Sequence, residues 1–163
     1  MKLSVFITLM FAVTSFSGCL ENEKENETAN NQNETLIDDN CMDFEGLERC
    51  WDIYAPQGIN PTNCLTVSCP IVIDIHGFGG TPEMQKAVSG FDDLADEYEF
   101  LVVYPRGYEN SWNSGWCCGE ARDEGLNDVG FIIKMTLEVE QIWNTDPERR
   151  YVTGLSNGCS MSQ

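Results

Sequence analysis

The segment YVTGLSNGCSMSQ, residues 151–163, contains the residues with the clearest capacity for chemistry. Gly154, Leu155, Ser156, Asn157 and Gly158 spell G-x-S-x-G. A serine in this setting can attack a carbonyl carbon if a base takes its proton and donors stabilise the oxyanion that forms. The geometry is demanding: the serine must stand on a sharp strand-to-helix turn with strained backbone angles. Residues two before and two after it crowd together there, and Gly154 and Gly158 bring no side chain into the contact. A helix starting after Ser156 would offer the free N–H of Asn157 to the oxyanion. A second Gly-rich stretch, His76-Gly77-Phe78-Gly79-Gly80, follows a strongly apolar run. Its glycines allow close approach of backbone to substrate, so an N–H of the Gly77-Phe78 segment is expected as the second oxyanion donor.

The same spacing leaves the serine short of partners. His76 is the chain's one histidine. At the mouth of a neighbouring strand it is expected to organise its loop, not to take the serine's proton. Asp123 and Asp128 precede the serine, and Asp128 is expected to cap a helix. Trp112 and Trp116 lie in an aromatic, Gly-rich loop; they are candidates for lining a cleft, with packing beneath the loop weighing equally. One histidine and no C-x-x-C pair argue against a zinc site, and no cofactor is expected.

The elements that must position these groups can be read upstream. RCWDIYAPQG alternates apolar residues before a turn and predicts a half-buried strand. Ile71, Val72, Ile73 and Ile75 form a nearly continuous β-branched run, as in a strand covered on both faces of a parallel sheet. TPEMQKAVSGFDDLADEYEF predicts one helix, with Thr81 as N-cap and Pro82 at its first position. Met84, Ala87, Val88, Phe91, Leu94, Ala95 and Tyr98 would make its apolar stripe, with Gly90 weakening the helix without ending it. FLVVYPRG predicts a second buried strand, DVGFIIKMTLEVEQIW a second helix, and YVTG a third short strand. Strand, helix, strand, helix, strand implies right-handed crossovers and a parallel sheet with helices on both faces, an α/β fold.

IDIHGFGGTPE, LADEYEFLVVYPRG, WN, NDVGFI and DPERRYVTGLSNG, in this order over residues 48–163, resemble the secreted polyhydroxybutyrate depolymerase and feruloyl esterase-like family of α/β-hydrolases. The resemblance implies an α/β-hydrolase-type parallel sheet flanked by helices. It also implies a carboxylic ester hydrolase working through an acyl-enzyme, with Ser156 as nucleophile and His76-Gly77 opening the oxyanion loop. Cys159 departs from the family, which commonly has a second glycine there. In α/β-hydrolases the acid and the histidine follow the serine. The chain is therefore expected to be the N-terminal part of such a domain, inactive as these 163 residues. Two alternatives stay open: a serine peptidase on the same fold, or a non-catalytic binding lipoprotein.

The N-terminus predicts export. Lys2, an apolar run from Leu3 to Phe16 and small residues before Cys19 read as a signal peptide over 1–18. The run is shorter than the about 20 residues a membrane span needs. FSGC resembles the lipobox of prokaryotic lipoproteins, although Phe16 departs from its usual aliphatic residue, and it makes Cys19 the expected lipidated residue. Residues 19–44 are acidic and Asn-rich and are expected to form a disordered tether, with N-x-[ST] matches at Asn26 and Asn33. The hydrolase-like part would run over 45–163. The formal net charge of −18 disfavours nucleic acid as a partner, so membrane association would come only through a lipid on Cys19. Eight cysteines suit an oxidising compartment, extracellular or at the cell surface. Cys41/Cys50 and Cys64/Cys69 are near enough in sequence to close short loops, while the adjacent Cys117 and Cys118 are not expected to pair.

Overall fold

The computed structural model describes residues 35–67 and 69–163. The signal peptide, Cys19, Asn26 and Asn33 lie outside the described residues, and so does most of the expected tether. The elements are β1 (Thr35–Phe44), β2 (Leu47–Ala55), α1 (Pro61–Val67), β3 (Ile71–Ile75), α2 (Pro82–Ser89), α3 (Phe91–Tyr98), β4 (Leu101–Pro105), α4 (Glu120–Asp123), α5 (Asp128–Trp143), β5 (Arg150–Gly154) and α6 (Asn157–Met161). One sheet runs in the order β1-β2-β4-β3-β5. β3 pairs in parallel with β4 and β5, whereas β1 with β2 and β2 with β4 pair antiparallel.

The expected parallel sheet is thus the β4-β3-β5 half of a mixed one. Every residue of β3 and β4 is buried, as β-branched runs covered on both faces require. Alternate residues of β4 serve opposite layers. Leu101 and Val103 join a core with Trp51, Phe131, Met135 and Trp143, beneath α5. Val102 and Tyr104 join a smaller one with Tyr54 and Ala95, beneath α3. β2 is more deeply placed than its alternation suggested: Trp51 through Ala55 are all buried.

Two further expectations are corrected. Residues 35–44, assigned to the tether, form β1. The strand is held by backbone pairing to β2 and by the Cys41–Cys50 disulfide, neither of which depends on apolar content. The single helix over 81–100 is two. Gly90 takes φ 63 and its N–H caps α2 on the Lys86 carbonyl, so α3 starts afresh at Phe91. The predicted stripe is also largely exposed, with Met84, Val88, Leu94 and Tyr98 facing out. What turns α2 is a polar anchor: buried Gln85 donates to buried Asp74 of β3 at 2.7 Å.

β5 pairs only with β3 among the described strands. Its Tyr151 and Val152, with Val129, Ile133 and Leu137 of α5, line an open trough of about 290 Å³.

Candidate active site

The chain leaves β3 toward β4 on one side and returns to β5 on the other. Ligands in open α/β sheets bind outside the carboxyl ends of strands at such a reversal. Both Gly-rich stretches sit there. β5 ends at Gly154, α6 begins at Asn157, and Ser156 between them has φ 51 and ψ −112. Positive φ in a non-glycine costs about 1–3 kcal/mol and persists only where the surroundings enforce it. Here the Leu155 N–H donates to the Ile75 carbonyl at 3.0 Å, hanging the turn on the end of β3. The flanking glycines leave no room for more. A Cβ on Gly154 would lie 2.6 Å from both the Ile75 oxygen and the Gly158 carbonyl carbon. One on Gly158 would overlap the Ile75 carbonyl. Ser156 is exposed, and its Oγ has no hydrogen-bond partner among the described residues.

Gly77 to Gly80 form a turn closed by the Gly80 N–H on the Gly77 carbonyl at 2.9 Å, with Gly79 at φ 74 as a type II turn requires. The turn leaves the Phe78 amide without a backbone acceptor among the described residues. As the first residue of α6, Asn157 likewise has no acceptor for its N–H within the helix. Turn and serine are adjacent: a Cβ on Gly77 would stand 3.5 Å from the Ser156 Cβ.

His76 is buried beneath this turn. Its Nδ1 donates to the Gly77 carbonyl at 2.8 Å, which leaves Nε2 to accept from the Gly107 N–H at 3.0 Å. Both ring nitrogens are therefore spent on backbone, and burial lowers the pKa from the ordinary 6.5, outweighing the Gly77 bond. A neutral, fully engaged imidazole ties the ends of β3 and β4 together and has no nitrogen left for Ser156.

Trp112 does not line a cleft: it is fully buried. Its indole N–H donates to the His76 carbonyl at 3.0 Å, so the ring supports the Gly77–Gly80 turn from below. Its main chain is clamped by the Asn157 side chain. Asn157 Oδ1 accepts from the Trp112 N–H at 2.9 Å, and Nδ2 donates to the Trp112 carbonyl at 3.1 Å. The sequence reading gave Asn157 a role only through its main chain and missed this clamp. The signal was an amide directly after the serine, able to donate and accept at once. Asp128 is also reassigned. Asn127 caps α5 by accepting from the Gly130 N–H, while buried Asp128 takes Arg49 at 2.6 Å and the Asn113 N–H at 2.7 Å.

Trp116 is exposed, next to Cys117 and Cys118, which are bonded to each other contrary to expectation. The bond fits a loop in which Cys118 and Gly119 both have positive φ, at 66 and 90. This loop presses on the Gly77–Gly80 turn: a Cβ on Gly119 would lie 2.8 Å from the Phe78 ring. Cys64 and Cys69 are also bonded, and Cys159 is free and exposed.

The strand-end serine turn, the Gly77–Gly80 turn beside it and the sheet beneath them make up an α/β-hydrolase fold, shared with solved esterases. A ferulic acid esterase structure superposes with a TM-score of 0.57 at 16% identity, over 79% of this chain and 53% of that one. No protein-family description matches the chain. Among curated proteins it is 28% identical over 114 residues to a bifunctional acetylxylan esterase/xylanase of Neocallimastix patriciarum, spanning 70% of this chain. It is 33% identical over 113 residues to a poly(3-hydroxyalkanoate) depolymerase C of Paucimonas lemoignei, spanning 67% of this chain. The chain spans 15% and 25% of these two relatives' own lengths. Its resemblance is thus to the acetylxylan esterases, feruloyl esterases and polyhydroxyalkanoate depolymerases of the α/β-hydrolase kind.

Proposed function

We propose that the protein is a serine carboxylic ester hydrolase, exported to the cell surface or beyond, acting on polyester or plant-wall esters. The observation that carries this reading is Ser156 itself, exposed at φ 51 between β5 and α6 with the Gly77-Phe78 turn beside it. In this reading Ser156 Oγ attacks the ester carbonyl, and the N–H groups of Phe78 and Asn157 hold the oxyanion of the tetrahedral intermediate. Collapse expels the alcohol and leaves an acyl-enzyme, which water then hydrolyses. Loss of one such donor costs about 3 kcal/mol of transition-state stabilisation. With both of its nitrogens occupied, His76 is not the general base in this reading. Three disulfides among the described residues favour an oxidising compartment, and a lipid on Cys19 would hold the protein at a membrane.

In the full-length protein, Ser156→Ala should abolish hydrolysis of p-nitrophenyl acetate, and a fluorophosphonate should label Ser156. The 163-residue chain by itself should show no Ser156-dependent turnover. Turnover that survives Ser156→Ala in the full-length protein would refute the serine mechanism, and preferential cleavage of peptides over esters would move the reading to a peptidase.

A further inference from the structure

We propose that a recess beside the oxyanion turn is an acyl subsite, walled by Phe78, Met84, Val88 and Leu155, that selects short apolar acyl groups. The proposal deepens the esterase reading and rests on Ser156 being the nucleophile.

The recess measures about 150 Å³ and opens to solvent. Its walls are four large apolar side chains that the fold leaves half or more exposed: Phe78 55%, Met84 57%, Val88 66% and Leu155 50%. They come from three elements. Phe78 lies in the turn after β3, Leu155 directly precedes Ser156, and Met84 and Val88 stand one turn apart on α2. The rotation of α2 is fixed from behind, because Gln85 is drawn inward to Asp74. That bond keeps Met84 and Val88 on the face toward the recess.

The recess adjoins the candidate nucleophile. Gly77 lines it, and a Cβ on Gly77 would come within 3.5 Å of the Ser156 Cβ and 3.2 Å of the Leu155 carbonyl oxygen. The acyl half of an ester stays bonded to the serine through the acyl-enzyme, so it must pack against that serine's immediate neighbours. Gly77 and Leu155 are such neighbours, and both belong to the recess.

The floor offers little to a polar guest. His76 has both ring nitrogens bound to backbone, and Gln85 spends one N–H on Asp74. A sugar or a charged acyl group would lose hydration against the four apolar side chains and regain few hydrogen bonds there. Size sets the other limit, since an apolar cavity of about 150 Å³ holds a guest the size of benzene. Butyryl suits such a space, acetyl leaves part of it empty, and octanoyl extends past it through the open mouth into solvent.

The test compares kcat/KM for p-nitrophenyl acetate, butyrate and octanoate in the full-length protein, with Val88→Trp, Met84→Ala and, as an outlying control, Tyr98→Ala. One methylene in a fitted apolar pocket changes kcat/KM by about tenfold or more. Butyrate should therefore exceed acetate by at least about tenfold. Val88→Trp should collapse that ratio, Met84→Ala should move the preference toward octanoate, and Tyr98→Ala should leave the ratio where it was. An unchanged butyrate-to-acetate ratio in Val88→Trp overturns the subsite, while loss of all hydrolysis in Ser156→Ala keeps the esterase reading standing. Lowered stability of Val88→Trp with an unchanged ratio also overturns it, and assigns the recess to another segment of the protein. Discrimination that follows the alcohol in a series of acetate esters, and not the acyl chain, overturns it as well. Hydrolysis that survives Ser156→Ala takes down the underlying reading instead.

Discussion

Asn157→Ala isolates the clamp between the serine turn and the Trp112 loop. The side chain removed is buried and makes two bonds to one residue, at 2.9 Å to the Trp112 N–H and 3.1 Å to its carbonyl, with a longer contact to Ser114 Oγ at 3.4 Å. Trp112 is itself fully buried, so truncation strands a buried donor and a buried acceptor. Each stranded group costs about 1–3 kcal/mol, which gives about 2–6 kcal/mol for the pair. Domain stabilities are only about 5–15 kcal/mol, so the loss is a large share of the whole. Asn157→Asp sharpens the test. It keeps an acceptor for the Trp112 N–H but turns a carboxylate oxygen on the Trp112 carbonyl, so it should fare no better than alanine. The measurement is urea unfolding of the full-length protein followed by tryptophan fluorescence, with p-nitrophenyl acetate turnover in parallel. Turnover should fall further than stability requires, because Trp112 also holds the His76 carbonyl at 3.0 Å. An Asn157→Ala protein within about 0.5 kcal/mol of the parent, the range of surface substitutions, would refute the argument.

Gly158→Ala should be as damaging by a different route. The added Cβ meets the main-chain carbonyls of Ile75 and His76, and the buried end of β3 cannot retreat. α6 must then shift by about 1 Å, a displacement that costs on the order of a hundredfold in rate; activity above a tenth of the parent's would contradict this. His76 gives the fold a dependence on pH. Its native pKa is held below 6.5, chiefly by burial, so the unfolded chain binds the proton more readily. The stability contributed by the neutral ring is complete above about pH 6.5 and is lost as pH falls through the lower native value. His76→Gln removes the titrating group while keeping a donor and an acceptor. Its unfolding free energy should change less than the parent's between pH 7 and pH 5, and equal changes would show that His76 does not titrate on unfolding.

The parts of this molecule that could be read from its sequence depend on local pattern. The β-branched run from Ile71 to Ile75 declared a strand buried on both faces, and G-x-S-x-G after a short strand declared the turn that carries Ser156. The missed features depend on contacts between distant residues. Nothing in the periodicity of α2 shows that Gln85 will be pulled inward by Asp74, leaving Met84 and Val88 outside. Thr35–Phe44 looks like tether because its content is polar, and it becomes a strand through its pairing with β2. Trp112 reads equally as a cleft wall or a core residue until the His76 carbonyl and the Asn157 amide are seen around it. Gly90 is the reverse case. Its effect was local, and a single residue at positive φ sufficed to divide one expected helix into two.

The outer edge of β5 has a consequence for the protein as a colloid. Unpaired N–H and C=O groups along a strand can template pairing with another chain, and beside them lies the apolar trough between β5 and α5. Two copies of the 163-residue chain meeting there would gain both backbone bonds and apolar burial. Opposing that contact is a formal charge of −18 on each copy. The repulsion acts over about 30 Å at 0.01 M salt and about 8 Å at 0.15 M. Dilute buffer should therefore keep such chains dispersed, and added salt should bring their edges together.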